Sequence, residues 1–173
     1  MNTLPNYKLT EFEYNPTALF DILYKEKDLL DKKTRVFRAN KLQIKEIATL
    51  LDTKNLQSII FFIMPPNDKS AIHLDAPTQD LRAATIPWNP MATNLPLVNC
   101  NNVKMSWYKS INNQFIMNYD VEPPVPTLSI DQAELIDSVY YTQPIQVQIL
   151  EWHQVSNESS DFAYFCSLRF FKD

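Results

Sequence analysis

The sequence of 173 residues contains no glycine. Phosphate-binding loops of the GxGxxG and GxxxxGK types need glycine where the backbone approaches the ligand, so loops of both types are excluded. Turns that require a positive φ must use another residue, and asparagine is the best tolerated of these. We therefore expect the asparagine-rich segments 99–102 and 112–113 to form tight turns.

Positive charge, long apolar runs and cysteine are scarce as well. The formal net charge is −4, which argues against a nucleic-acid partner because such proteins usually carry a basic surface. The apolar run 59–64 is too short to span a membrane, and the N-terminus lacks the basic and apolar regions of a signal peptide. Cys100 and Cys166 lie in strand-like stretches without CxxC spacing, which favours buried free thiols. We expect a soluble, cytoplasmic protein without a membrane partner.

The sequence predicts one domain, with a helical part at residues 1–54 and a β-rich part at residues 55–173. Helical spacing of apolar residues is confined to the first part, over residues 17–33 and 40–52. Asn40 is well suited to be the N-cap of the second helix. The helices are expected to pack against the outside of the β-rich part.

Short β-rich runs, each ending at Pro, Asn, Asp or Ser, follow one another through the second part. Such spacing is typical of an all-β sandwich or a closed barrel. Residues 129–140 fit neither pattern clearly, and residues 131–134 are suited to open a short helix. The predicted strands are residues 58–64, 71–74, 82–87, 95–99, 104–109, 114–119, 145–150 and 162–171.

The sequence has two histidines, and the surroundings of both are suited to a metal site. His73 and Asp75 form an HxD motif in a strand-like segment, where residues i and i+2 point to the same face. His153 follows a β-rich run much later in the chain. Two imidazoles and one carboxylate compose the facial triad that holds Fe(II) and leaves positions open for other ligands. An HxD motif also occurs by chance, and a histidine beside Trp152 can simply be packed, so the residues alone leave both interpretations open.

Three segments of the β-rich part resemble the Fe(II)/2-oxoglutarate-dependent oxygenases, in particular small relatives of the aspartyl/asparaginyl hydroxylases and the phytanoyl-CoA dioxygenases. The resemblance extends over residues 58–171 and implies a double-stranded β-helix, the jelly-roll or cupin-like barrel. It also implies that His73, Asp75 and His153 hold the iron. The segments are the turn 63–66 before the motif 73–75, the stretch 94–102 leading to the aromatic pair 107–108, and residues 144–157 followed by 167–170.

The same resemblance implies an arginine about ten residues after the second histidine, which pairs with the distal carboxylate of 2-oxoglutarate. Ala163 stands near that position in this chain. Another cation must take the role if 2-oxoglutarate is the co-substrate, and Arg169 has the same strand parity as Ala163. The candidate cofactor-binding residues are Lys109, Tyr108, Arg82, Lys104 and Arg169.

Residues near the expected mouth of the barrel are candidates for substrate binding. Trp88 and Asn89 lie in the segment 82–94, which follows the metal motif, and loops in such places commonly bind substrate. Trp107 is a further candidate, although tryptophans in strands are more often core residues.

The resemblance implies an Fe(II)-dependent oxygenase that uses 2-oxoglutarate and O₂ to hydroxylate a small molecule or a protein side chain. Two alternatives stay open. One is a barrel that has lost the chemistry and serves as a binding or structural module, which Ala163 supports. The other is a cupin metalloenzyme that does not use 2-oxoglutarate, for which Ala163 is no obstacle.

Overall fold

The structure, a computed structural model, describes residues 6–25, 36–75, 91–120 and 124–171. Within these residues the chain forms two six-stranded antiparallel sheets and two α-helices. The helices are α1 (Pro16–Tyr24) and α2 (Lys41–Leu50), and the strands are β1 (Tyr7–Leu9), β2 (Val36–Arg38), β3 (Leu56–Met64), β4 (Ile72–His73), β5 (Met91–Val98), β6 (Val103–Ser110), β7 (Ile116–Asn118), β8 (Val125–Leu128), β9 (Ala133–Tyr140), β10 (Ile145–Gln148), β11 (Trp152–Asn157) and β12 (Ala163–Phe170).

Successive strands alternate between the two sheets from β3 to β6 and again from β10 to β12. The first sheet has the order β1-β10-β5-β12-β3-β2, and the second has the order β7-β8-β4-β11-β6-β9. This alternation is the jelly-roll arrangement that the sequence predicted, and the prediction of a mainly-β fold with N-terminal helices is confirmed. Across the described ranges the sheets stay separate at their edges, so the fold is an open sandwich rather than a closed barrel.

The main core lies between the sheets. Met105 and Trp107 from the second sheet pack in one apolar cluster with Ala163 and Phe165 from the first. Phe165 also stacks on Phe62, with ring centroids 4.7 Å apart. Removing such apolar surface from water is the dominant favourable term in folding.

The two helices cover the outer face of the first sheet, as predicted. Leu19 and Leu23 of α1 and Ile47 of α2 are completely buried against Ile59 and Phe61 of β3. Each fully buried side chain of this kind contributes about 1.5–3 kcal/mol relative to an exposed one. The first sheet is therefore buried on both faces.

Asn40 is the N-cap of α2, which confirms its predicted role. Its side-chain oxygen accepts hydrogen bonds from the backbone N–H groups of Leu42 and Gln43, and the Gln43 side chain accepts one from the Asn40 N–H. This capping box satisfies backbone donors that have no partner inside the helix. The predicted helix over 17–33 is observed as α1, and its remainder falls mostly on residues 26–35, outside the described ranges.

Asparagine takes the backbone conformations that glycine usually adopts. Positive φ angles occur at Asn55, Asn67, Asn99 and Asn113, and also at Asp52. Both predicted turn segments contain one of these residues. Asparagine tolerates the left-handed region because its short polar side chain can form local hydrogen bonds.

Residues 129–140 form a single 3₁₀ turn at Ile130–Gln132 followed by strand β9. The short helix that the sequence allowed to begin at residues 131–134 is not formed. The strand pairs with β6 from Lys104 to Ser110, and this ladder outweighs the weak local helical signal. The predicted strand 82–87 lies outside the described residues.

Both cysteines are free and buried, as predicted. Among the described residues, no helix has the length and apolar character that crossing a membrane requires.

The left-handed turn at Asn113 gives a test of how this chain manages without glycine. Asn113 is exposed and has a φ of 56°. A residue with a Cβ atom and no local hydrogen bonding costs about 1–2 kcal/mol there, so we expect Asn113→Ala to be about 1 kcal/mol less stable than Asn113→Gly in urea unfolding. Asn101, in the 3₁₀ turn Cys100–Asn102, is the control and should show the reverse order. Equal stabilities at Asn113 would contradict the interpretation.

Candidate metal centre

The two histidines meet because their strands are neighbours in the second sheet. Strand β4 pairs with β11 in antiparallel fashion, with His73 directly opposite His153. Residues paired in this way project their side chains to the same face. The two imidazole rings consequently lie with their centroids 4.5 Å apart on the inner face of the sheet.

Hydrogen bonds next to β4 fix this pairing. The Ser70 N–H donates to the Val155 carbonyl, and the Val155 N–H donates to the Ser70 hydroxyl. The Gln154 side chain donates to the Ser70 carbonyl at 2.7 Å. A strand of two residues is thereby held in register by the segment that precedes it.

Asp75 completes the triad from the turn after β4. Its Oδ1 atom lies 3.3 Å from Nε2 of His73 and 3.4 Å from Nε2 of His153. One ligand atom from each of the three residues lies within 4.8 Å of the other two. The sequence prediction that these residues come together is therefore reproduced in the structure.

Both imidazoles are oriented by the backbone. The Nδ1 atom of His73 lies 2.9 Å from the Ala71 carbonyl oxygen, and that of His153 lies 2.8 Å from the Glu151 carbonyl oxygen. A carbonyl oxygen can only accept, so each Nδ1 carries a proton, and Nε2 is the ring nitrogen that faces the triad. Metal-binding histidines are oriented by the same kind of bond.

The electrostatics of the triad favour an ionised carboxylate. Burial opposes the charge of Asp75, but Arg169 and the two histidines outweigh this effect and hold the pKa of Asp75 well below its usual value. Burial also opposes the charge of His73, but its hydrogen bond and attraction to Asp75 prevail, so the pKa of His73 is raised. The carboxylate is thus ready to bind a cation at neutral pH.

Arg169 connects the triad to the opposite sheet. Its Nη2 atom donates to Oδ2 of Asp75 at 2.5 Å, so the two carboxylate oxygens face different partners. The Arg169 residue is only 8% exposed, and its Nη1 atom is buried and has no hydrogen-bond partner in the part of the chain that the structure describes. Burial lowers the pKa of this guanidinium, while the Asp75 carboxylate opposes the shift.

Polar side chains lie near Arg169 on the inner face of the first sheet, and we call this group of residues the polar pocket. Ser167 lies two residues before Arg169 on β12 and pairs with Asn94 of β5. Ser167 Oγ and Asn94 Oδ1 are both buried and have no hydrogen-bond partner among the described residues, while the Asn94 amide donates to the Tyr141 hydroxyl at 2.7 Å. An unsatisfied buried polar group costs about 1–3 kcal/mol. Together with Nη1 of Arg169, these atoms are matched to a polar ligand or ordered water.

Asn94, Ser167 and Tyr141 were not singled out from the sequence. The available signal was strand parity, because Ser167 shares a strand face with Arg169 and Asn94 lies in one of the segments that carries the family resemblance. Burial raises the pKa of Tyr141, so its hydroxyl stays neutral and serves as a hydrogen-bonding group.

Lys104 and Tyr108, which the sequence analysis named as cofactor-binding candidates, do not lie on the face of β6 that carries the triad. In the β6–β11 ladder, Trp107 pairs with His153, whereas Tyr108 pairs with Trp152 and Lys104 with Ser156. Since side chains alternate along a strand, Lys104 and Tyr108 lie on the face opposite the triad.

Other contacts engage both side chains on that outer face. Lys104 forms an ion pair with Glu158. The Tyr108 hydroxyl donates to the Gln154 side chain. A groove there is lined by Lys104, Tyr108 and Glu158 among others, and it is separated from the triad by the sheet.

Trp107, the substrate-binding candidate, and Ala163, which stands near the expected arginine position, are both core residues. Trp107 is completely buried, stacks on Tyr7 and donates its indole N–H to the Gln148 carbonyl, so it offers no surface to a substrate. Ala163 is also completely buried and pairs with Met64. Arg169 lies further along the same face of β12.

None of the described contacts places the remaining cofactor-binding and substrate-binding candidates near the triad. Lys109 is exposed near the end of β6, where it pairs with Glu134. Arg82, Trp88 and Asn89 fall in residues 76–90, outside the described ranges. Their assignment to cofactor or substrate stays a prediction.

Comparison with known proteins gives similarity in structure and none in sequence. No protein-family model matches the chain, and no curated protein matches it by sequence. The chain is similar to the non-heme alpha ketoglutarate dependent carbocyclase SnoK from nogalamycin biosynthesis, with 12% identity, a TM-score of 0.48, and coverage of 96% of this chain and 79% of that one. For a Pseudomonas putida prolyl-4-hydroxylase the identity is 10%, the TM-score 0.48, and the coverage 97% and 93%.

A third similar structure belongs to the capsular polysaccharide assembling protein CapF from Staphylococcus aureus. Its identity is 10% and its TM-score 0.32, with coverage of 69% of this chain and 26% of that one. Similarities at this level do not identify a function, and one fold hosts many functions. The function of this chain must therefore be argued from its own residues.

Removal of any one triad residue should abolish tight binding of a divalent cation. We expect His73→Ala, Asp75→Ala and His153→Ala each to weaken Co(II) binding by more than the roughly 10–100-fold that follows loss of an outer partner. Isothermal titration of the metal-free protein measures this directly. Ser156→Ala is the matched control, because Ser156 lies on β11 with its side chain on the opposite face. Unchanged affinity in the three variants would contradict the site.

Metal affinity should fall as the pH is lowered. His73 must be deprotonated to bind, and its pKa in the metal-free protein lies above the ordinary histidine value of 6.5. Below that raised pKa, each pH unit should cost about a tenfold loss of affinity, since one proton competes with the metal. Protonation of Asp75 does not contribute to the pH dependence of the affinity in this range, because the pKa of Asp75 is far lower. Co(II) titrations at pH 8, 7 and 6 check this, and a constant affinity would refute it.

Proposed function

We propose that the protein is a non-haem Fe(II)-dependent oxygenase that uses 2-oxoglutarate and O₂ to hydroxylate a small molecule or a protein side chain. The observation that carries the proposal is the convergence of His73, Asp75 and His153 on the inner face of a jelly roll. Both Nε2 lone pairs and one carboxylate oxygen are directed at the same region. The acidic net charge is consistent with a substrate other than nucleic acid.

The donor set suits iron. Two imidazoles and one carboxylate on one side of a metal leave its other positions free, as the facial triad of non-haem iron sites does. Thiolates would favour zinc or an iron–sulfur cluster, but Cys166 packs in the cluster beneath the helices, and the Cys100 thiol donates to backbone carbonyls. When bound, Fe(II) supplies the dioxygen chemistry that side chains cannot provide.

The pocket around Arg169 supports 2-oxoglutarate as the co-substrate. This molecule carries a carboxylate at the end remote from its metal-chelating 2-oxo acid group. The unpartnered Nη1 of Arg169 and the Ser167 hydroxyl are buried on the inner face beside the triad. A charge-assisted hydrogen bond to a carboxylate is strong in such a water-poor place. The family resemblance implies an arginine near position 163 that pairs with this distal carboxylate. Arg169 is our assignment for that role, because Ala163 cannot fill it.

One side of the site is shielded from water, while the side chains of His73 and Asp75 stay 22% and 24% exposed. Trp107 and Tyr141 are completely buried next to the polar pocket, and His153 is nearly so. A site that excludes water strengthens the electrostatic interactions inside it and protects a reactive centre from side reactions. In the proposed oxygenase, the side chains of this site would bind and orient the metal and the co-substrate.

One observation favours a second candidate, a cupin metalloenzyme that does not use 2-oxoglutarate. Arg169 is already paired with Asp75 through Nη2. If this ion pair alone balances the charge of the guanidinium, no dicarboxylate is needed to neutralise it.

Anaerobic titration with Fe(II) and then 2-oxoglutarate distinguishes these candidates. We expect the visible charge-transfer band of the iron chelate to appear in the native protein and to be lost in His153→Ala. Arg169→Gln should weaken 2-oxoglutarate binding about 10–100-fold, because a hydrogen bond to a charged group contributes about 1.5–3 kcal/mol. Iron binding should persist in that variant.

Lys104→Gln is the matched control, since it removes a positive charge from the outer face of the sheet. Its 2-oxoglutarate affinity should equal that of the native protein. Iron binding without a band would favour the metalloenzyme that does not use 2-oxoglutarate. Absence of iron binding would leave a fold that serves as a binding or structural module.

A further inference from the structure

A second arginine, Arg38, lies on the same inner face as Arg169. In the first sheet Arg38 of β2 pairs with Ile60 of β3, Ile60 pairs with Ser167 of β12, and Ser167 pairs with Asn94 of β5. Paired residues of antiparallel strands share a face. These four residues therefore form one row across the sheet, with Arg38 at its edge.

The direction of this row follows from its neighbours. Phe37, next to Arg38, is buried in the cluster beneath the helices, so Arg38 lies on the other face, the one turned toward the second sheet, where its side chain is exposed. Phe62, two residues after Ile60, packs against the core between the sheets. Two strand spacings of about 4.8 Å separate the backbone of Arg38 from that of Ser167, a gap that a long arginine side chain can cross.

Arg38 and Arg169 place two cationic side chains on one face of the first sheet, and among the described residues Asp75 is the carboxylate paired with Arg169. Since Asp75 is also the candidate metal ligand, its single charge cannot balance both arginines and a metal ion. This region of the fold consequently has an excess of positive charge that an anion would neutralise.

Arg169 alone cannot hold a carboxylate with both of its outer nitrogens. Its Nη2 is engaged by Asp75, which leaves Nη1 for another ligand. A carboxylate has two oxygens with several lone pairs and needs further donors. The Ser167 hydroxyl offers one donor, and the Arg38 guanidinium is the remaining cation in the row.

We propose that Arg38 is a specificity-determining residue that, together with Arg169 and Ser167, binds the distal carboxylate of a 2-oxo dicarboxylic acid. This inference rests on the proposed function, because the other end of the acid would chelate the iron. Arg38 selects dicarboxylic over monocarboxylic 2-oxo acids. It stands on the edge strand β2 and is exposed, so it approaches the distal carboxylate from the solvent side of the row.

The experiment compares two acids on the Fe(II)-loaded protein under anaerobic conditions. The probes are 2-oxoglutarate and 2-oxopentanoate, which have the same chain length and the same chelating end and differ in the distal carboxylate. We expect Arg38→Gln to weaken 2-oxoglutarate binding about tenfold and to change 2-oxopentanoate binding less than about twofold. Arg38→Lys should give an intermediate loss, because lysine keeps the charge but not the planar fork.

Lys41→Gln is the control for a loss of positive charge nearby, since Lys41 is exposed in the first turn of α2. It should leave the binding of both acids unchanged. Equal weakening of both acids by Arg38→Gln, or no weakening of either, would overturn the role of Arg38. If the native protein binds iron but neither acid, the proposed function fails instead, and this result is distinct from the previous two. A far-ultraviolet spectrum and an unfolding midpoint confirm that each variant is folded.

Discussion

The antiparallel pairing of His73 with His153 is the contact on which the whole site depends. Side chains alternate along a strand, so a slip of one residue would turn one imidazole to the outer face. Strand β4 has only two residues and cannot hold its register by its own ladder. The register is held instead by Ser70 on one side and by the bond from the Asp75 N–H to the Ile149 carbonyl on the other. The register of β4, the shortest strand of the site, is therefore fixed by hydrogen bonds from the residues on either side of it.

Strand β12 divides the interior into an apolar and a polar region. Its inward residues begin with Ala163 and Phe165, which pack in the core, and end with Ser167 and Arg169, which line the pocket. The apolar region stabilises the sandwich, and the polar region would be costly to bury without partners. Asp75 compensates part of that cost from the opposite sheet. One strand thus contributes to both the stability of the fold and the chemistry of the site.

Local patterns in the sequence were sufficient to predict a mainly-β fold and to place His73 and Asp75 on one strand face, whereas the part of His153 in the triad came from the family resemblance. An HxD spacing places two side chains on one strand face, and short β-rich runs indicate a sandwich. The sequence was not sufficient to assign the faces of β6, since apolar residues occur at odd and even positions, as Met105 and Tyr108 illustrate. Only the ladder with β11 decides which side faces inward. Asn94 and Ser167 were missed because small polar residues in strands have no distinctive spacing.

The divided coordination of Asp75 has a thermodynamic consequence. One of its oxygens faces the histidines and the other faces Arg169. A cation bound on the first side would withdraw negative charge from the second, so the guanidinium would become more attractive to an anion. Linkage would then require the anion to strengthen cation binding by the same factor. The two ligands of the proposed function would be coupled through one carboxylate, and the fully occupied and the empty protein would be populated at the expense of the forms with one ligand.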